Sequence, residues 1–304
     1  MWTFLLILFA AIVILLAAQY SADIRKAYGR LDRYHPKTMD TSYGKMSYLD
    51  EGSGEAVLLS HGIFGGYDQA FASLTGLLGN DCRKIAPSRF GYPGSDLPSE
   101  PTPQNQAEAF LELLDHLHIQ KAYVISTSAG GAAGISLALK HPERLKGLIL
   151  LSSGVPGAKK TRKEISGMMG PPAPLLNDFP MWLSIKYFAF VFRAMFASDD
   201  HRSFYDTMLP VKPRKSGIKA DEEITNVDMD IHFDGYEVEK ISVPVFVIHA
   251  KDDPMAKYES VQRFISRTHA KSAVFESGGH LITGHGNAVS TAIKEFMKET
   301  GSHQ

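Results

Sequence analysis

Three stretches of the chain hold side chains that could carry out nucleophilic chemistry together. In Tyr123-Val124-Ile125-Ser126-Thr127-Ser128-Ala129-Gly130-Gly131 an apolar run ends in a turn of small residues, with Ser128 at its apex and a helical pattern behind it. A turn of this kind holds its serine out at the top of a sheet, and the residues two before and two after must be small because strand and helix approach closely there. Taken alone the pattern is weak, arising by chance in roughly one chain in five of this length. Upstream, Leu58-Leu59-Ser60-His61-Gly62-Ile63-Phe64-Gly65-Gly66 ends a second apolar run in a glycine-rich turn. That turn can aim the Ile63 N–H at the same point as the Ala129 N–H, and two converging donors make an oxyanion hole. His61 then reads as a structural or hole-supporting residue rather than a base. Downstream, Val243 to His249 runs into Ala250-Lys251-Asp252-Asp253-Pro254, and Ser272 to Phe275 runs into Glu276-Ser277-Gly278-Gly279-His280. Both place ionisable groups at the carboxyl end of an expected strand, where open α/β sheets bind ligands.

The chain order Ser128, Asp253, His280 is the order of a nucleophile-elbow hydrolase. With these residues in view the sequence resembles the α/β-hydrolase family over about residues 42 to 299. The matching pieces are His61-Gly62, Ser88-Arg89-Phe90-Gly91-Tyr92-Pro93-Gly94-Ser95, Ser126-x-Ser128-x-Gly130, His141-Pro142-Glu143-Arg144, Asp253-Pro254 and Gly279-His280. The resemblance implies an acyl-transfer serine enzyme with a lid domain. In it His280 takes the Ser128 proton as general base, and Asp253 fixes the imidazole tautomer and stabilises the imidazolium. Asp253 is preferred to Asp252 because the family's acid usually stands three places after the small residue closing the strand, here Ala250. The alternative location for the acid, after Leu145 to Leu151, has no carboxylate before Glu164. Ser126 occupies a position that is usually glycine in the family. His285 is expected as a surface or helix-cap histidine. Epoxide hydrolases and haloalkane dehalogenases on the same fold need an aspartate at the elbow, so Ser128 excludes those readings.

The elements that must position these residues follow an α/β rhythm. Apolar runs at Ala56 to Ser60, Arg83 to Pro87, Ala122 to Ile125, Leu145 to Leu151, Val243 to His249 and Ser272 to Phe275 alternate with helical periodicity at Gln104 to Leu117, Gly131 to Leu139, Ser260 to Thr268 and Ala288 to Met297, with a hairpin at Ser42 to Asp50 in front. This predicts an α/β-hydrolase fold: a mainly parallel sheet covered by helices on both faces. The rhythm breaks between Ser152 and Ile241, a stretch rich in proline and aromatic residues, which reads as a helical lid over the carboxyl edge of the sheet. The expected division is a first core part at 41–152, a lid at 153–241 and a second core part at 242–300. Within the lid, Phe179, Trp182, Tyr187, Phe188, Phe190, Phe192 and Phe196 cluster, near Met168, Met169, Met181 and Met195. Phe188, Phe190 and Phe192 cannot all point the same way on a helix. Part of this surface is therefore expected to line the pocket or touch lipid, with Phe64, Trp182, Phe188 and Phe192 as candidate substrate-binding residues.

From Trp2 to Ala22 there is no charged residue, and a helix of about 20 such residues matches the ~30 Å hydrocarbon layer of a bilayer. The run lacks both a preceding basic residue and a small-x-small cleavage pattern, so it is read as an uncleaved anchor, residues 1–22, followed by a charged linker at 23–40. Arg25, Lys26, Arg30, Arg33 and Lys37 all lie on its carboxyl side, which puts the main domain on the cytoplasmic face as a single-pass membrane protein. A net charge of -1 offers no basic field for nucleic acid, and one cysteine, Cys82, cannot form an intrachain disulfide. No metal-ligand spacing, P-loop or G-x-G-x-x-G is present, so no cofactor is expected. The oligomeric state is left open. The substrate is expected to be a small-molecule ester or lipid with an apolar acyl chain, such as a monoacylglycerol, a lysophospholipid or a simple carboxylic ester. Two alternatives remain on the sequence: C–C hydrolysis or perhydrolysis by the same triad, and a non-catalytic protein that binds a hydrophobic ligand.

Overall fold

Residues 1–165, 170–196 and 202–301 are described by the computed structural model, apart from the side chains at 194, 195, 202 and 203. The strands are β1 Lys37–Thr41, β2 Gly44–Glu51, β3 Ala56–Ser60, β4 Arg83–Pro87, β5 Ala122–Thr127, β6 Leu145–Leu151, β7 Val245–Ala250 and β8 Lys271–Phe275. They form one sheet in the order β1-β2-β4-β3-β5-β6-β7-β8. β1 and β2 are an antiparallel hairpin, β2 runs antiparallel to β4, and every other pair is parallel. The inner strands are apolar at nearly every position because both faces are covered. Leu58, Val124, Leu148 and Val247 face the helices α3 (Pro103–His116), α4 (Gly131–Lys140) and α10 (Tyr258–Thr268). Their neighbours Val57, Ile125, Ile149 and Phe246 face α2 (Tyr67–Leu78) and α11 (Gly286–Gly301). Each such side chain stabilises the fold by about 1.5–3 kcal/mol through burial. β3 continues toward β4 on one side while β5 lies on its other side, so the turns after β3 and β5 diverge from a common crevice.

The segment between β6 and β7 is built from short helices: α5 (Asp178–Tyr187), α6 (Arg193–Phe196), α7 (Arg202–Thr207), α8 (Lys215–Ala220) and α9 (Asn226–Ile231), joined by single turns such as Ala189–Phe192. Its own core gathers Met181, Trp182, Phe192, Tyr205, Met208, Val211 and Ile218 around Phe64 and Tyr92 of the sheet domain. Two buried ion pairs pin it down. Arg214 is fully buried and bonds Asp68 of α2 through both nitrogens at 3.1 and 2.8 Å. Arg89 does the same with Asp221, at 2.7 and 2.6 Å.

The amino-terminal part departs from expectation. Instead of an anchor followed by a linker at 23–40, one helix α1 runs from Trp2 to Arg33, and residues 37–40 already belong to β1. No proline interrupts the sequence before Pro36, so the helix continues until His35 turns the chain at φ 45°. At 1.5 Å per residue α1 is about 48 Å long. Its most apolar 18-residue window has a mean hydropathy of 2.5, and none of it is buried, so the helix is long and apolar enough to cross a membrane. The carboxyl end is packed: Ala27 and Leu31 are buried, and Arg30 reaches Asp68 at 3.3 Å.

Truncating Arg214 to methionine leaves the buried Asp68 carboxylate with the longer Arg30 contact as its remaining ion pair. Arg214→Met is expected to lower unfolding stability by about 3–5 kcal/mol. Pairing it with Asp68→Asn should restore part of that loss, and additive losses in urea titrations of the detergent-solubilised chain would contradict the pairing.

Candidate active site

Ser128 sits on the turn between β5 and the helix behind it with φ 51°, a left-handed conformation that a non-glycine residue adopts only when its surroundings impose it. The imposition is steric. A β-carbon on Gly130 would stand 2.2 Å from the Ser60 carbonyl oxygen, so only glycine lets the turn press against the end of β3. Ser60 Oγ donates to the Gly130 carbonyl at 3.0 Å, and the Ser128 amide donates to Ser152 at 3.1 Å, tying the turn to both neighbouring strands. Ser126, where the family usually has glycine, fits because Gly134 faces it on α4: a β-carbon there would lie 2.0 Å from Ser126 Oγ.

The Ser128 hydroxyl meets His280 Nε2 at 2.9 Å, and His280 Nδ1 meets Asp253 Oδ2 at 2.8 Å. An ionised carboxylate only accepts, so Nδ1 carries the proton and Nε2 is left to accept from the hydroxyl. Burial alone would raise the Asp253 carboxyl, but the hydrogen bond and charge of His280 and the amides of Ala256 and Met255 outweigh it and hold it below its ordinary value. Those amides donate to Asp253 Oδ1 at 3.0 and 2.8 Å. Asp252 does not approach His280. It accepts from the amides of Gly278 and Gly279 at 3.2 and 2.8 Å, fixing the turn that presents the histidine. His285 stands at the start of α11, its carbonyl accepting from Val289, with its ring stacked on Phe275 at 4.3 Å.

The turn after β3 abuts the serine: a β-carbon on Gly62 would be 2.9 Å from that of Ser128. His61 organises this turn. Its Nε2 accepts from the Arg89 amide at 3.0 Å, so its Nδ1 carries the proton and donates to the Gly62 carbonyl at 2.8 Å. In a trans peptide the carbonyl oxygen and the following N–H point oppositely. Holding Gly62 oxygen therefore aims the Ile63 amide away from His61, and Ile63 lines the same cavity as Ser128 and His280. The Ala129 amide lies in the first turn after Ser128, where N–H groups have no intrahelical acceptor. Arg89 Nε also holds the His61 carbonyl at 2.7 Å, and Tyr92 hydroxyl donates to Asp221 at 2.6 Å. The turn and the lid are thus parts of one hydrogen-bonded unit. Arg89 and Tyr92 lie in the Ser88 to Ser95 motif, whose partner Asp221 has no sequence signature.

Ser128 opens onto a cavity of about 500 Å³. Its walls come from the sheet edge (Leu59, Ile63, Leu151), from the lid (Phe196, Phe204, Met208) and from α2 and α11 (Leu77, Val289). None of its described lining residues is Lys or Arg. The four aromatic candidates lie elsewhere. Phe64 and Phe192 are buried in the lid core, Phe192 stacked on Tyr205 at 4.7 Å. Trp182 is buried too, its Nε1 donating to Asp23 of α1 at 3.0 Å. Phe188 is exposed and packs edge-on to Phe190. The aromatics of α5 are drawn to α1 rather than to the pocket, a partner that composition alone does not reveal. Met181 is buried, whereas Met168, Met169 and the Met195 side chain fall outside the described residues.

A sequence profile described as the Alpha/beta hydrolase family matches residues 57–292. The chain is similar to the "Uncharacterized hydrolase YcgS" of Bacillus subtilis, 33% identical over 117 residues that cover 38% of this chain and 41% of that protein. It is also similar to a "2-hydroxy-6-oxo-6-phenylhexa-2,4-dienoate hydrolase" of Burkholderia cepacia, 33% identical over 114 residues, 36% of this chain and 40% of that one. The matched region thus spans about two fifths of these relatives' length. Among solved structures, an "Alpha/beta hydrolase fold protein from Nakamurella multipartita" superposes with a TM-score of 0.68 at 24% identity, over 88% of this chain and 99% of that one.

Burial, with the Arg89 charge beside it, holds His61 well below its ordinary value, so it is neutral in the folded state. The unfolded chain then binds a proton, below about pH 6.5, that the folded chain does not. The stability this provides is complete above that pH and is lost as pH falls toward the folded value, at up to about 1.4 kcal/mol per pH unit. Urea unfolding between pH 6.5 and 5 should show this slope, diminished by one proton in His61→Asn; an unchanged slope would contradict the assignment.

Proposed function

The chain belongs to the Alpha/beta hydrolase family, and from that premise we propose that it is a serine hydrolase of neutral carboxylic esters with an apolar acyl chain, held on a membrane by α1. The observation that carries this reading is the relay Ser128–His280–Asp253, at 2.9 and 2.8 Å, opening onto a mostly apolar cavity. Ser128 Oγ attacks the acyl carbon as its proton passes to His280 Nε2, and Asp253 stabilises the imidazolium. The amides of Ile63 and Ala129 take up the oxyanion charge, each worth about 3 kcal/mol of barrier. Collapse of the tetrahedral intermediate breaks the ester bond, and the departing alcohol takes the proton from His280. Water then attacks the acyl-Ser128 ester, with His280 again accepting and returning the proton.

The cavity supports ester over C–C cleavage of a dienoate. A dienoate is an anion, and desolvating a carboxylate is costly, whereas Leu59, Ile63, Leu151, Phe196, Phe204 and Met208 in the cavity wall suit an uncharged acyl chain. The similarity to a dienoate hydrolase keeps the second reading testable. The basic residues Arg25, Lys26, Arg30 and Arg33, all beyond the apolar run of α1, support a cytoplasmic catalytic domain.

Kinetics on p-nitrophenyl esters of increasing length, beside a 2-hydroxy-6-oxo dienoate, test this reading. At about 0.8 kcal/mol per buried CH₂, four further buried methylenes raise kcat/KM about 10²-fold. The expected result is that rise, its loss in Ser128→Ala, and no dienoate turnover. Equal rates on acetyl and longer esters, or faster dienoate cleavage, would overturn it.

A further inference from the structure

We propose that the lid surface formed by Phe179, Tyr187, Phe188, Phe190 and Val191 lies in the interfacial layer of the bilayer that α1 crosses. The inference rests on the membrane-anchored reading of α1 and adds where the lid stands relative to the lipid. These five large apolar side chains, all within residues 179–191, are between 38% and 65% exposed, and Phe188 packs on Phe190. Two of them, Phe179 and Tyr187, are placed by contacts with α1, and the other three follow directly in the chain. Tyr20 meets Phe179 and Trp182 edge-on at 5.2 and 5.4 Å, and Tyr187 hydroxyl donates to Gln19. Gln19 and Tyr20 are the first polar side chains after the apolar run that ends at Ala18. They mark where a spanning helix leaves hydrocarbon, the level at which aromatic rings of membrane proteins concentrate.

The lid is held at that level by polar bonds one turn further on. Asp23 accepts from Lys186 Nζ at 2.9 Å and from Trp182 Nε1 at 3.0 Å, so α5 and α1 are fastened together. Arg25 and Lys26 are exposed on α1 at the same height, where lipid phosphates would stand. The only carboxylate within the α5 part of the patch, Asp178, turns inward and accepts from the amides of Val211 and Lys212. The patch also leads to the cavity. After Val191 the chain buries Phe192 and then Phe196, which lines the cavity with its ring 6.1 Å from that of His280. A lid seated in lipid therefore brings the cavity roof to the membrane surface, where an acyl chain is already desolvated.

The test uses the full chain in phosphatidylcholine vesicles. Cys82, the single cysteine, is replaced by alanine, and an environment-sensitive fluorophore is attached at Phe190→Cys or, at the opposite edge of the sheet, at Lys121→Cys. Lipids brominated on the acyl chain serve as quenchers. The expected result is loss of fluorescence at position 190 and none at 121, with the chain retained in carbonate-washed vesicles. Retention without quenching at 190 overturns the interfacial lid and leaves the anchor intact. A fluorophore at 190 shielded from water yet unquenched also overturns it, since the patch is then covered by a second copy. Release of the chain by carbonate overturns the anchored reading, and this inference with it.

Discussion

Gly130 packs its α-carbon against the end of β3 so closely that a β-carbon would stand 2.2 Å from the Ser60 carbonyl oxygen. The rest of the site follows from that approach. It brings the turn after β5 against the turn after β3, holds Ser128 at φ 51°, and sets Gly62 beside the serine. Of Ser128, His280 and Asp253 only the serine has a positive φ. His280 and Asp253 arrive on separate turns after β8 and β7, and their alignment is a matter of hydrogen bonds: Asp252 fixes the histidine turn, and the amides of Met255 and Ala256 fix the Asp253 carboxylate.

The lid is joined to this frame by buried charge as well as by the apolar core around Phe64 and Tyr92. Arg89–Asp221 and Arg214–Asp68 are each two-pronged and almost fully buried. Such pairs add little net stability over apolar packing, but losing one partner is costly, so they favour one lid position over others. Because the Arg89 amide holds the His61 ring and its guanidinium holds the His61 carbonyl, one residue links the lid position to the Gly62–Ile63 turn. α1 joins through Arg30, which reaches Asp68 and the carbonyls of Asp206, Thr207 and Leu209.

That Ser128, His280 and Asp253 come together was legible in the sequence because local rules govern them. A strand, a turn that must be small and a helix are contiguous in the chain, and Ser128, Asp253 and His280 each follow an apolar strand. The pocket walls were not legible. Whether an aromatic ring faces a cavity or a neighbouring helix is decided by tertiary packing: Trp182 and Phe179 turned to Tyr20, while Phe196 and Phe204 face Ser128's cavity. The helical end of α1 was concealed by its charges, since Asp23, Arg25, Lys26 and Arg30 look like a solvated linker until Trp182, Lys186 and Asp68 are seen to receive two of them. Asp221 and Arg214 carry no local signal at all, because their partners lie more than a hundred residues away.

On the proposed reading, the frame around Gly130 makes Ser128 a nucleophile activated through His280. It is tested most directly by incubating the purified full chain with a fluorophosphonate and locating the adduct by mass spectrometry, in wild type, Ser128→Ala and His280→Ala. A single adduct on Ser128, absent from Ser128→Ala and formed far more slowly in His280→Ala, is the predicted result. Folded wild-type protein that forms no adduct, or labels equally fast without His280, would contradict it.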